Sequence, residues 1–121
     1  MPKLRHDSRE GLHIRVQFDQ GAAFGPGRAA LLEGIRDLGS IAAAGRAMGM
    51  SYRRAWLLVD ATAKEFGGPV VAANPGGAHG GGAGLTERGV QVLALYRRLE
   101  AKAARATAPE MRDFRDLISK I

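Results

Sequence analysis

Sixteen residues, Ser40 to Ala55, carry no acidic side chain and read as two short helices joined at a glycine. The first half, Ser40-Ile41-Ala42-Ala43-Ala44-Gly45-Arg46-Ala47-Met48, is small and apolar, and Gly49 breaks it. The second half opens with Ser51-Tyr52-Arg53-Arg54-Ala55-Trp56. Ser40 and Ser51 stand where a hydroxyl accepts from an otherwise orphaned backbone N–H at a helix start. Gly49 supplies the permissive backbone that a tight inter-helix turn needs. A compact helix, a glycine turn and a second helix with a hydroxyl and two arginines in its first turn describe a helix-turn-helix, whose second helix enters a DNA major groove by its N-terminal end.

The flanking segments fit around this unit. Leu12, Ile14, Val16 and Phe18 alternate with polar residues and predict a half-buried strand. Residues 21–27 hold three glycines and Pro26, a loop leading into a helix from Arg28. In that helix Ala30, Leu31, Gly34, Ile35 and Leu38 recur at helical steps, and Gly39 ends it. Tyr52, Trp56, Val59, Ala63 and Phe66 follow at steps of four and three and predict one buried face, with Arg53, Arg54 and Lys64 turned away from it. Trp56 is placed in the core, where truncation to alanine costs ~3–5 kcal/mol. Gly67-Gly68-Pro69 ends the helix, and Val70-Val71-Ala72 is β-prone. Residues 74–84 contain six glycines with Pro75 and His79 before Leu85-Thr86, which reads as a hairpin with a long tip. Thr86 caps a helix of about 87–107, in which Val92, Tyr96, Leu99, Ala103 and Ala106 form a heptad-like stripe suited to pairing with a copy of itself. Met111, Phe114, Leu117, Ile118 and Ile121 make a short amphipathic helix after Pro109.

The expected fold is therefore mainly α with a small β-hairpin: a winged helix-turn-helix with a long C-terminal dimerisation helix, in one domain over 1–121. The helix-turn-helix spans about 40–66, the wing about 70–86 and the dimer helix about 87–107. A net charge of +6 favours phosphate polymers, since each phosphate contact releases condensed counterions. The absence of cysteine excludes disulfides and thiolate metal sites. Met1 to Glu10 is polar and has no signal-peptide core, and no apolar run approaches a membrane span, so a cytoplasmic, bacterial protein with no membrane partner is expected. His6, His13 and His79 are scattered and suggest no metal site. The glycine-rich loop lacks the Gly-Lys-Ser/Thr of a phosphate-binding loop. No catalytic constellation is present, and neither an enzyme nor a cofactor is expected.

Four stretches resemble the N-terminal DNA-binding domain of ModE-type molybdate-responsive regulators, a relative of the LysR-type winged helix. They are Gly39-Ser40-Ile41 with Ala44; Gly49-Met50-Ser51-Tyr52-Arg53-Arg54-Ala55-Trp56; Gly76-Gly77-Ala78-His79-Gly80-Gly81-Gly82-Ala83; and Leu85-Thr86 with Gly89. The resemblance covers roughly residues 12–105. It implies a homodimer, joined by the first and last helices, on a near-palindromic operator in double-stranded DNA. The C-terminal β-barrel domains that bind molybdate or tungstate in the best-known members have no counterpart in these 121 residues, so no oxyanion-binding residue is expected here. Relatives often carry a lysine or arginine among the wing glycines where this chain has Ala78-His79, which weakens the phosphate contact expected of the wing.

The expected DNA-binding residues are Ser40, Ser51, Tyr52, Arg53, Arg54 and His79. Either arginine can pair with guanine O6 and N7 or clamp a phosphate. The serines combine capping with a phosphate contact at a helix N-terminus. Tyr52 lies between core packing and the DNA backbone, and Lys64 is expected to be solvated. The leading function is a sequence-specific, dimeric transcriptional regulator, with molybdate-related genes as candidate targets. The alternatives are a winged-helix protein-interaction module, with the apolar helix after Pro109 as its docking element, and a direct oxyanion sensor.

Overall fold

The computed structural model of the chain describes residues 11–19, 23–74 and 82–119. In chain order the elements are β1 (Val16–Gln17), β2 (Ala23–Phe24), α1 (Pro26–Leu38), α2 (Ile41–Ala47), α3 (Tyr52–Glu65), β3 (Val71–Asn74), β4 (Gly82–Leu85), α4 (Glu87–Ala106) and α5 (Ala108–Ser119). The protein is mainly helical, with two small antiparallel strand pairs, β1 with β2 and β3 with β4.

Local signals set the helix boundaries. Pro26 opens α1 at a position whose backbone N–H has no intrahelical partner in any case. Gly39 closes it with φ +79°, a left-handed conformation suited to glycine, and its N–H donates to the Ile35 carbonyl at 2.9 Å. The hydroxyls of Ser40, Ser51 and Thr86 accept from the N–H groups of Ala43, Arg54 and Gly89 at 2.9, 3.1 and 3.0 Å. Each such cap is worth ~1 kcal/mol.

The core gathers around α1. Leu31, Leu32 and Ile35 are fully buried against Ala44 of α2, Ala55 and Val59 of α3, Val70, Ala83 of β4, and Val92, Leu93 and Tyr96 of α4. Burying one such leucine or isoleucine contributes about 1.5–3 kcal/mol. Thr62 is buried with them, and its hydroxyl donates to the Leu58 carbonyl at 2.8 Å. Small residues bring α2 and α3 close: a Cβ added to Gly45 would stand 3.1 Å from that of Ala55.

The N-terminal segment departs from the expected strand of eight residues. Among the described residues only Val16 and Gln17 pair, with Phe24 and Ala23, in a region read as loop. Aromatic contacts, which leave no period-two trace, hold this corner. Phe24 meets Phe66 and Tyr96 edge-on at 5.9 and 5.1 Å, and the Tyr96 hydroxyl donates to the Ile14 carbonyl at 2.5 Å.

The β3–β4 pair runs in register from Val71↔Leu85 to Asn74↔Gly82. Its tip, residues 75–81, lies outside the described residues. Its base is fixed on two sides. The Ala83 N–H donates to the Gly39 carbonyl at 2.8 Å, while Thr86 donates from its N–H to Val70 and from its hydroxyl to Pro69 at 3.0 and 2.6 Å. Gly89 presses on the same backbone: a Cβ there would lie 2.2 Å from the Val70 carbonyl oxygen.

The heptad-like stripe on α4 needs correction. Val92 and Tyr96 are buried in the protein's own core, and Leu99 and Ala106 are exposed. The same spacing serves an intramolecular face at the start of α4 and leaves an open one further along. Arg97 fastens α4 to α1: its Nε and Nη2 donate to both Glu33 carboxylate oxygens at 2.9 and 2.6 Å, and its Nη1 to Glu100 at 2.6 Å. Burial opposes the charge of this guanidinium, but the hydrogen bonds to Glu33 and Glu100 outweigh it and raise its pKa.

Candidate nucleic-acid interface

The turn between α2 and α3 exposes a cationic surface. Gly49 adopts φ +74°, and the Met50 N–H reaches back to the Gly45 carbonyl at 2.9 Å, so the chain reverses in a few residues. Ser51 then caps α3 and sets its first turn outward. Arg53 and Arg54 are both exposed there, as is Arg46 in the last turn of α2. Among the described residues none of the three forms an ion pair or a side-chain hydrogen bond, in contrast to the paired Arg28, Arg36 and Arg97. Unpaired guanidiniums beside the positive end of a helix attract an anion.

Beside this surface a groove of about 700 Å³ separates α3 from the β3–β4 pair. Ser40, Tyr52, Trp56, Asp60 and Lys64 lie along one wall and Val71 to Ala73 along the other. Of the expected site residues, Ser40 and Tyr52 therefore share this groove, while Ser51, Arg53 and Arg54 sit at the exposed start of α3. His79 lies outside the described residues, as do the other tip residues, Pro75 to Gly81, and His6. Lys64 is exposed, as expected, and pairs with Asp60 at 3.0 Å, a surface contact worth ~0.5 kcal/mol or less.

Trp56 is the main correction to the sequence reading. It is 45% exposed and Tyr52 57%, whereas the buried face of α3 is centred on Ala55, Val59 and Thr62. A helical stripe defines a face but not its centre. Here the close approach of Gly45 to Ala55 draws α2 onto the small residues, and the two aromatic rings flank that contact on the groove side. Exposed tyrosine and tryptophan in one groove were not anticipated; the lone tryptophan in a motif rich in arginine was the available signal.

Among the described residues no three His, Asp or Glu side chains converge as a metal site, and no helix is long and apolar enough to cross a membrane.

Known proteins resemble this chain over about 70% of its length. No protein-family model matches it. Over 85 residues it is 47% identical to the molybdenum-pterin-binding protein MopB of Rhodobacter capsulatus, covering 70% of this chain and 32% of that protein. It is 39% identical over 87 residues to the molybdenum transport protein ModE of Azotobacter vinelandii, covering 72% and 32%. It is 34% identical over 87 residues to the transcriptional regulator ModE of Haemophilus influenzae, covering 72% and 34%. The chain thus spans about a third of the length of the relatives it matches, a group of proteins named for molybdenum or for ModE.

Proposed function

We propose that the chain is a winged helix-turn-helix DNA-binding domain that acts as a homodimeric, sequence-specific transcriptional regulator, with molybdate-related genes among its targets. The observation that carries this reading is the first turn of α3. It is capped by Ser51, exposed on the outer surface, and bears Arg53 and Arg54, which have no ion pair or side-chain hydrogen bond among the described residues. In this reading α3 enters the major groove by its N-terminus. One arginine reads a guanine edge and the other holds a phosphate. The N-termini of α2 and α3, with Ser40 and Ser51, face the backbone.

The groove between α3 and the β3–β4 pair then straddles the sugar–phosphate chain. Tyr52 and Trp56 present flat apolar surface to the deoxyribose, and the glycine-rich tip with His79, assigned on the resemblance alone, meets the next phosphates. Two copies place two such helices about one DNA turn apart. The similarity to a protein named as a transcriptional regulator, ModE of Haemophilus influenzae, supports the regulatory reading, and the molybdenum in the names of MopB and of ModE from Azotobacter vinelandii supports the link to molybdate-related genes. A cytoplasmic location follows from this role.

The test is binding of the purified chain to duplex DNA from upstream of its own gene cluster, against a scrambled duplex, at low and physiological salt. Selective binding that survives the higher salt is expected. Equal, salt-labile binding to both duplexes would reduce the interaction to charge alone and favour the protein-interaction reading.

A further inference from the structure

One side chain on the outward face of α3 is out of keeping with its neighbours. Ala55 and Val59 are buried, and Leu57, two residues from each, falls on the opposite side of the helix. It is 47% exposed, whereas Leu58 beside it packs against the core. At about 100° per residue, Leu57 lies ~40° round the helix from Arg53 and ~60° from Arg54, between the two and one turn further along. Asp60 and Ala61 adjoin it on the next turn, and both are half-buried.

The charges of α3 leave this leucine in a cationic setting. The helix has two acidic residues, and both are held: Asp60 pairs with Lys64 at 3.0 Å, and Glu65 pairs with Arg28. Arg53 and Arg54 have no ion pair among the described residues, and both are exposed. A single exposed leucine needs no partner on most surfaces. Leu57 differs because it stands at the centre of the surface that the proposed function sends into the major groove.

There the bases offer it one complement. Guanine, adenine and cytosine present hydrogen-bonding groups in the major groove, and thymine alone adds a methyl group. Leucine has no side-chain donor or acceptor. Against guanine, adenine or cytosine it displaces water and leaves a polar edge unpaired. Against the thymine methyl it buries apolar surface on both partners.

We infer that Leu57 is a specificity-determining residue that packs on the C5-methyl group of one thymine in each half-site. One helical turn of about 5.4 Å separates it from the arginines and spans between one and two base steps of ~3.4 Å, so the thymine lies within about two base pairs of the guanine that Arg53 or Arg54 reads. The inference rests on the reading of α3 as the helix in the groove, and it extends that reading from charge to a base that no arginine selects.

The probe is a duplex that the full chain enriches from a random-sequence pool at physiological salt. Each of its thymines is replaced in turn by deoxyuridine, which removes the methyl group and keeps the base pair. At one thymine per half-site the replacement is expected to weaken binding ~4-fold, the effect of one buried methyl group. Leu57→Ala is expected to melt as the parent chain does, to bind the intact duplex several-fold more weakly, and to be indifferent to deoxyuridine at that position. If no replacement weakens the parent chain, or if Leu57→Ala keeps the same sensitivity, the inference fails while selective DNA binding stands. Enrichment of no sequence by the parent chain overturns the DNA reading itself, and this inference with it.

A second variant reads the contact as a change of base. Leu57→Gln supplies the donor and acceptor that suit adenine. Repeating the enrichment with it is expected to replace the thymine at that position and to keep the neighbouring guanine. Thymine retained there overturns the inference.

Discussion

The α2–α3 end and the α4–α5 end are both helical and both basic, yet they expose different things. At the first, small residues are packed together, and the exposed groups include Tyr52, Trp56, Leu57 and three arginines that have no ion pair among the described residues. At the second, the arginine nearest the core is tied to Glu33 and Glu100, and the exposed groups include Leu95, Leu99, Phe114, Leu117 and Ile118. Cations without partners at a helix N-terminus are completed by a polyanion. Large apolar side chains on an unsupported helix are completed by another protein surface. Net charge alone would have assigned both ends to the same partner.

The largest effect expected from a single substitution lies where the two ends are joined. Gly89→Ala puts a methyl group 2.2 Å from the Val70 carbonyl oxygen, which is backbone and cannot swing aside. A loss of about 3 kcal/mol is expected, read as a lower denaturation midpoint, with DNA binding and self-association falling together. Unchanged melting would show that α4 and the β3–β4 base are not rigidly coupled.

Separation of the two ends is tested next. Arg53→Ala and Arg54→Ala should each weaken operator binding by about 1–3 kcal/mol in a fluorescence titration, with melting and oligomeric state unchanged. If both variants bind as well as the parent chain, the cationic surface at α3 is not the DNA-binding face.

A smaller effect belongs to Trp56. Its exposure limits the cost of Trp56→Ala to about 1 kcal/mol of stability, well below the ~3–5 kcal/mol of a core tryptophan. As the chain's single tryptophan, it should also report DNA binding through a change in its emission. A loss of stability on the core scale would return Trp56 to the interior.

An effect of the same size is expected at Tyr96, on the other end. Burial, with the neighbouring Glu100 charge, pushes its phenol up to about 12 from the ordinary 10. The folded state therefore holds this proton more tightly than the unfolded chain. Its contribution is fully present below pH 10 and is lost as pH rises from 10 to 12. Tyr96→Phe should cost ~1 kcal/mol near neutrality through the lost hydrogen bond to Ile14, and should flatten the alkaline fall in stability. An alkaline limb of unchanged slope would assign that fall to other groups.

Much of this was legible in the chain. The three hydroxyl caps and the glycine breaks at 39 and 49 follow from short-range chemistry and sit where the sequence placed them, whereas β4, Gly82–Leu85, lies mostly in glycine-rich residues read as the hairpin tip, because cross-strand pairing with β3 leaves no signal in so small a set of side chains. Arg53 and Arg54 were legible as exposed because they fall away from the apolar stripe through Val59 and Ala63 on a helix of known period. Trp56 was misplaced, and Val92 and Tyr96 were assigned to a partner, for a shared reason. Periodicity identifies a face without saying what covers it.

The sequence by itself determined where helices start and stop and which end of α3 carries charge, because caps, glycine turns and helical period act over a few residues. Only the tertiary structure decided that the core turns on α1, that Tyr52 and Trp56 line a groove, that Phe24, Phe66 and Tyr96 lock the N-terminal segment, and that α5 leaves with its apolar face bare. Those outcomes depend on how closely distant backbones approach, as at Gly45 with Ala55 and Gly89 with Val70, and that distance is a property of the packed whole.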